Sequence, residues 1–310
     1  MTAAVRHLRR VKLTGFATMN NTDHPLFRQY PLNGHAMLST GPVPTPYHVY
    51  DGHGIFIGGT ANLEAVRKLL LPEHVYPAMT TTGEALMGLW IFDFADASLG
   101  AHHELQFSIF VSEANARQVA MHRLALIEAM VTRPDIRMLC HGLWNNQPQV
   151  VAYNRELLAL DARLSASSIE RDARSIRFSA SDHATGKPVL AGHVARIRHA
   201  SWQANLALMG RLGMRRLREL AMQPWIRMPV VNPVGALLEE NAIAQSFTRA
   251  EASALRYFDP QRDRLLFGDS RYSHLQFQPQ FVQLMEGFKF VYLMPQTVPV
   301  PARSSEVTPA

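Results

Sequence analysis

Ala85-Leu86-Met87-Gly88-Leu89-Trp90-Ile91-Phe92-Asp93-Phe94, followed after a polar, glycine-bearing interval by Glu104-Leu105-Gln106-Phe107-Ser108-Ile109-Phe110-Val111, is the stretch that decides the fold class. Both segments are rich in aromatic and aliphatic residues and are bounded by Gly or Asp, the pattern of strands. Further out, Met138 to Asn146 has the same character. Ser175 to Ala180 and Val189 to Ile197, joined through Asp182-His183-Ala184-Thr185-Gly186, predict a hairpin. Proline stiffness extends Thr40 to Pro46 and leads into a strand at Tyr47 to Tyr50. Asp51-Gly52-His53-Gly54 before Ile55-Phe56-Ile57 predicts a hairpin or its equivalent.

Helices interrupt this pattern. One is expected over Thr60 to Leu70, stopped by Pro72, one over about Ala114 to Thr132, and one over about Gln203 to Met222, where Leu206, Met209, Leu212, Leu217 and Leu220 fall near helical spacing and Pro224 follows. The fold class is therefore mainly antiparallel β with helices, α+β. Neither an internal repeat nor a linker divides the chain, so one domain is expected over 41–296. Residues 1–40 carry the turn signals Asn20-Asn21, Asp23 and Asn33-Gly34 and read as an N-terminal arm; 297–310, rich in Pro, Ser and Thr, read as a disordered tail.

At 310 residues and 47% hydrophobic content the chain buries a sizeable core. No apolar run reaches the roughly 18–20 residues that span a bilayer, and the N-terminus lacks the apolar core of a secretory signal, so no membrane partner and a cytoplasmic location are expected. The single Cys140 precludes an intramolecular disulfide. The formal charge of +6 is spread over 27 arginines and four lysines, with one dense cluster at Arg6, His7, Arg9, Arg10 and Lys12 and a second group at Arg211, Arg215, Arg216 and Arg218. No nucleic-acid-binding motif accompanies it, so no nucleic-acid partner is expected, and the charge instead suits an acidic small molecule.

Tyr153-Asn154-Arg155-Glu156, followed by Leu157 to Asp161 and then Ala162-Arg163-Leu164, resembles the Gly-Arg-Glu-(x)5-Lys-Lys-Leu segment of the acetoacetate decarboxylase superfamily. Pro46-Tyr47 with the downstream AVRKLLLPEHVYP helix, Glu104 within LGAHHELQFSIFVS, Cys140 to Pro148, Leu275-Gln276-Phe277 and the strand Phe288 to Leu293 resemble further blocks of that family in the same order, covering about 42–295. The resemblance implies a closed β cone or barrel around a buried pocket, a homo-oligomer, and lyase chemistry on keto-acid or polyketide-derived small molecules of secondary metabolism. It also implies that Ala162 stands where the family's Schiff-base lysine stands, with Arg163 on its cationic neighbour. Alanine forms no imine, and arginine stays protonated at physiological pH. Decarboxylation, dehydration and cyclisation without the usual lysine all remain open, and the rival reading is a non-catalytic binder of a hydrophobic acid.

Of the four lysines, Lys289 is the candidate for a relocated amine, because it shares a strand face with Val291 and Leu293; the alternative is an outer-face lysine. Arg155 is a candidate to hold a carboxylate or enolate by a bidentate fork while Glu104 or Glu156 exchanges a proton. The opposing reading of Arg155-Glu156 is a structural ion pair, and strand alternation would let only one of the two face the pocket. His141 is a candidate acid or base, with Tyr47, Arg163 and Trp144 in substrate binding. His102-His103 lacks HxH or HExxH spacing, so no metal is expected. Gly52-His53-Gly54 and Gly58-Gly59 make no dinucleotide fingerprint, and no cofactor is expected.

Overall fold

The structure, a computed structural model, describes residues 24–293 apart from 74, 113–117, 197–200, 223–225, 232–236 and 245–252. Strand pairing closes on itself. Tyr47–Asn62 pairs with Glu84–Ala97, that strand with His102–Ser112, and that with Arg137–Asn145, all antiparallel. Arg137–Asn145 runs parallel to Ile226–Val231, which leads antiparallel through Leu237–Ala244 and Gln278–Tyr292 back to Tyr47–Asn62. A closed circuit satisfies the strand edges and encloses an interior. The expected, mainly antiparallel, closed β cone is thus present.

A second layer of Ala162–Arg171, Ser175–Asp182, Pro188–Ala195 and Arg264–Phe267 grows from Arg137–Asn145 through the parallel pair Ala162↔Leu143. It covers the outer face of the ring, where Ile176, Phe178, Val189 and Leu190 join one apolar cluster with Ile91, Phe107 and Leu139. Glu84–Ala97 is buried on both faces for this reason. Leu86, Trp90 and Phe94 point to the inner cluster and Met87, Leu89 and Ile91 to the outer. A strand sandwiched in this way reads as a continuous apolar run.

The hairpin expected at Asp51 to Gly54 is absent, and Tyr47–Asn62 is one 16-residue strand. Its glycines serve packing. A Cβ on Gly52 would lie 2.9 Å from the Phe288 ring, and one on Gly54 would lie 2.7 Å from Met285 and 2.8 Å from Phe92. Gly59 is tighter still, since a Cβ there would stand 2.1 Å from the Gln278 carbonyl oxygen and 3.0 Å from Pro279 Cα. Both obstacles are backbone and cannot rotate away. Gly59→Ala is expected to lose at least ~2 kcal/mol in urea unfolding by prying the two strands apart; an unchanged midpoint would show that the strands slide freely.

Leu63–Leu70 is the expected short helix, started by Asn62, whose Oδ1 accepts from the Ala65 N–H at 2.9 Å, while Thr60 and Ala61 stay in the strand. The helix expected over 114–132 is confined, among the described residues, to Ala125–Thr132; Gln118–Val119 is instead captured by the sheet, parallel to Met79–Thr80. Trp202–Met222 is helical as expected, with a kink at Gly213 (φ 70°). The arm is partly built into the domain. Pro25–Gln29 is a helix that buries Leu26 and Phe27 against Val291, and Gly34–Leu38 pairs with Gly41–Thr45. The basic cluster at 6–12 and the tail at 297–310 lie outside the described residues.

Candidate active site

On His102–Ser112 alternation sends Leu105, Phe107, Ile109 and Val111 to the outer cluster and Glu104, Gln106 and Ser108 inward. The inner face of the ring therefore carries a buried polar stripe. Opposite it, Arg137–Asn145 holds one residue too many, His141, because Ser108 pairs with Cys140 and Phe107 with Gly142. This bulge reverses the alternation, so that Cys140 and Leu143 both reach the inner cluster and Asn145 comes to face Glu104. Asn145 donates from Nδ2 to Glu104 Oε2 at 2.9 Å and accepts on Oδ1 from Asn154 Nδ2 at 3.0 Å. All three side chains are buried.

Glu104 opens onto a cavity walled by Trp90, Phe92, Phe94, Gln106, Met138, Met285, Phe288, Phe290 and Tyr292. Among the described residues, no lysine or arginine is in these walls. Burial in this aromatic shell pushes the Glu104 carboxyl up to about 7, only partly opposed by the Asn145 hydrogen bond. The carboxyl therefore exchanges its proton near neutral pH. Gln106 is held by donating Nε2 to Ser108 Oγ at 2.7 Å. The Trp90 indole Nε1 is buried and, among the described residues, has no hydrogen-bond partner, and Trp90 is a wall of the same cavity. The free volume is about 30 Å³, room for one or two waters, so a larger guest needs a ring or Met138 to turn aside.

Tyr47 borders this site by stacking on Tyr292 (centroids 6.2 Å, 18°). His102 Nδ1 lies 2.8 Å from the Gly100 carbonyl, which only an N–H can satisfy, so Nε2 is bare and accepts from the Tyr47 hydroxyl at 2.9 Å. Burial drives His102 down to about 4, keeping the ring neutral, and pushes the Tyr47 phenol well up, with Glu104 adding to the effect. The pair backs two of the cavity's walls, Tyr47 against Tyr292 and the His102 ring 4.8 Å from that of Phe94. It carries no mobile proton at neutral pH.

Of the residues singled out in the sequence, only Glu104 and Tyr47 come together at this cavity. Arg155 and Glu156 close the helix Pro148–Glu156, both exposed. The strand expected there does not exist, because Pro148 at the first turn starts a helix. Arg155 donates to the Ala162 carbonyl, and Glu156 accepts from the Ser39 N–H at 2.9 Å and from its hydroxyl, tying the arm to the helix end. His141, Trp144 and Arg163 lie on the outer face. His141 Nδ1 is 3.0 Å from the Tyr272 hydroxyl and is driven down to about 4, chiefly by burial. Arg163 pairs with Asp161 at 2.9 Å with its guanidinium 5.8 Å from the Trp144 ring centre.

Lys289 shares its strand face with Val291 as expected, but that face looks away from the cavity, which is lined by the intervening Phe288 and Phe290. Its Nζ donates to the Tyr50 carbonyl at 2.6 Å, and burial lowers its pKa. Ala162 is fully buried within the inner cluster. The sequence reading missed Gln106, Asn145 and Asn154. The first was legible as a polar residue two beyond Glu104 on one strand, but Asn145 depends on the bulge and Asn154 on the helix.

A scan of protein-family models and a search of curated proteins return no match. Among solved structures the chain is similar to acetoacetate decarboxylase from Legionella pneumophila subsp. pneumophila str. Philadelphia 1, with TM-score 0.51 and 10% identity over 88% of this chain and 94% of that one. It is also similar to a second acetoacetate decarboxylase structure (TM-score 0.47, 15% identity, 82% of this chain and 89% of that one) and to the enduracididine biosynthesis enzyme MppR with HEPES bound (0.46, 11%, 83% and 88%). The chain has the acetoacetate decarboxylase fold.

Proposed function

We propose that this protein is a small-molecule enzyme of the lyase type in which Glu104 moves a proton on a carbonyl compound enclosed by the aromatic cavity. The observation that carries this reading is a lone buried carboxyl, pushed to about 7, on a wall shared with an unpartnered indole N–H. In the carboxylate form Glu104 takes the proton next to the carbonyl while Trp90 Nε1 donates to the carbonyl oxygen. The freed electron pair forms a C=C bond and expels a β-hydroxyl, which leaves as water with the proton that Glu104 returns. Alternatively the same pair closes a ring on a second carbonyl. Both outcomes need neither an imine nor a guanidinium, and no wall residue supplies one. Dehydration or cyclisation of an oxo compound is favoured over imine-dependent decarboxylation.

The test is a panel of oxo acids and β-hydroxy ketones incubated in D₂O and followed by proton NMR. Deuterium is expected at the carbon next to the carbonyl of at least one member, accompanied by dehydration or ring closure. Tight binding without exchange by any member would replace this reading with that of a carrier for a hydrophobic ligand, which the ring-lined walls also suit.

A further inference from the structure

A second, roomier cavity lies beside the one at Glu104. It measures about 640 Å³ and is walled by Phe110, Met130, Ile136, Met138 and Leu212 together with Arg133, Arg215, Arg216 and Glu219. This volume is of ligand size. Met138 is a wall of both cavities, and its sulfur sits 3.5 Å from Nε2 of Gln106, an inner-cavity residue. The two rooms thus share a wall at an unbranched, adaptable side chain. The outer room is apolar toward Met138 and basic elsewhere, where its described lining holds Arg215, Arg216 and Glu219 of the helix Trp202–Met222 and Arg133 of the segment after Ala125–Thr132.

These arginines differ in what they already hold. Arg133 is paired with Asp135 at 3.0 Å, and Arg216 donates to the Val131 carbonyl and, at 2.8 Å, to Glu219. Arg215 is 95% exposed and stands 3.7 Å from Glu219, a loose pair in water. Its fork is the one available to an incoming anion.

We propose that the 640 Å³ room is the outer half of the Glu104 site, and that it holds the apolar chain and remote anionic head of an amphipathic oxo compound whose far end passes Met138 to reach Glu104. The head is held at Arg215, with Arg216 fixed beside it. The aromatic room, which has no cation of its own, receives the uncharged reacting end. The substrate class that follows is an oxo acid with its carboxylate several carbons away from the reacting carbonyl. This rests on Glu104 being the reacting carboxyl, and the experiment separates the two.

The full chain is titrated calorimetrically with dodecanoate and with dodecanol, and its tryptophan fluorescence is followed with 12-bromododecanoate, whose bromine quenches an adjacent indole. Dodecanoate is expected to bind roughly fivefold or more tighter than dodecanol, a preference lost in Arg215→Glu. The brominated chain is expected to quench wild-type protein by an increment missing in Trp90→Phe. Glu104→Gln is expected to keep the binding and the quench, so failure of the chemistry leaves the binding result readable. Equal binding of acid and alcohol, an Arg215→Glu variant with unchanged preference, or binding without the Trp90 increment would each overturn the proposal, the last by showing that the rooms do not connect.

Discussion

Glu104→Gln is expected to yield a protein that is inactive yet more stable than wild type above neutral pH. Loss of the proton-exchanging carboxyl should lower turnover by about 10²–10⁴-fold. The stability change follows from the same desolvation. The carboxyl has an ordinary value of 4.5 when exposed and about 7 in the folded chain. Because the folded value is the raised one, its contribution is fully present below 4.5 and is lost as pH rises through 7. The loss amounts to about 3 kcal/mol for a shift of this size. Glutamine nearly matches the protonated acid in shape and does not titrate. Wild type and variant should therefore have similar urea midpoints near pH 4.5 and separate by roughly 3 kcal/mol at pH 8, with the variant the more stable. Parallel stability curves across that range would mean that Glu104 is not desolvated, and the acid-base reading would lose its physical basis.

Removing one partner of the Arg256–Asp263 pair is expected to have the largest purely structural effect. The two side chains are 4% and 0% exposed, and Arg256 Nη1 and Nη2 lie 2.5 and 2.7 Å from the Asp263 carboxylate. Asp263 also accepts from the backbone N–H groups of Ala195 at 2.9 Å and Asp259 at 2.8 Å, while Arg256 Nη2 donates to the Ala195 carbonyl at 2.9 Å. The pair thus bolts Ser253–Tyr257 and the loop after it to Pro188–Ala195. Asp263→Ala strands a buried guanidinium and should cost ~3–5 kcal/mol. Replacing both residues by apolar side chains of similar volume should recover most of that loss, because neither charge then has to be desolvated. A single variant with wild-type stability in urea would show that water reaches the pair.

The sequence reading succeeded where one strand's own pattern was enough. Ala85 to Phe94 is a strand with apolar residues on both faces, and Glu104 to Val111 one whose Leu105, Phe107, Ile109 and Val111 fill a single face. It failed where the outcome depended on a neighbour. Gly52 and Gly54 look like turn residues in isolation, yet the rings of Phe288 and Phe92 occupy the space a Cβ would take. Arg155 and Glu156 match a catalytic motif in one dimension, but the helix that carries them turns Asn154 inward and leaves both of them exposed. Lys289 was placed on the correct strand face, and only the closed ring shows that this face is the outer one.

The strand-rich class and Glu104 as a candidate carboxyl were legible in the sequence alone, because alternation and side-chain chemistry are properties of one segment. The tertiary structure decided which groups share a cavity with that carboxyl. Closure of the ring places Trp90, Phe288 and Tyr292 around Glu104 although nearly two hundred residues separate the first two. The bulge at His141 turns Asn145 toward it. Desolvation is a sum over everything that displaces water, and no single segment contains that sum.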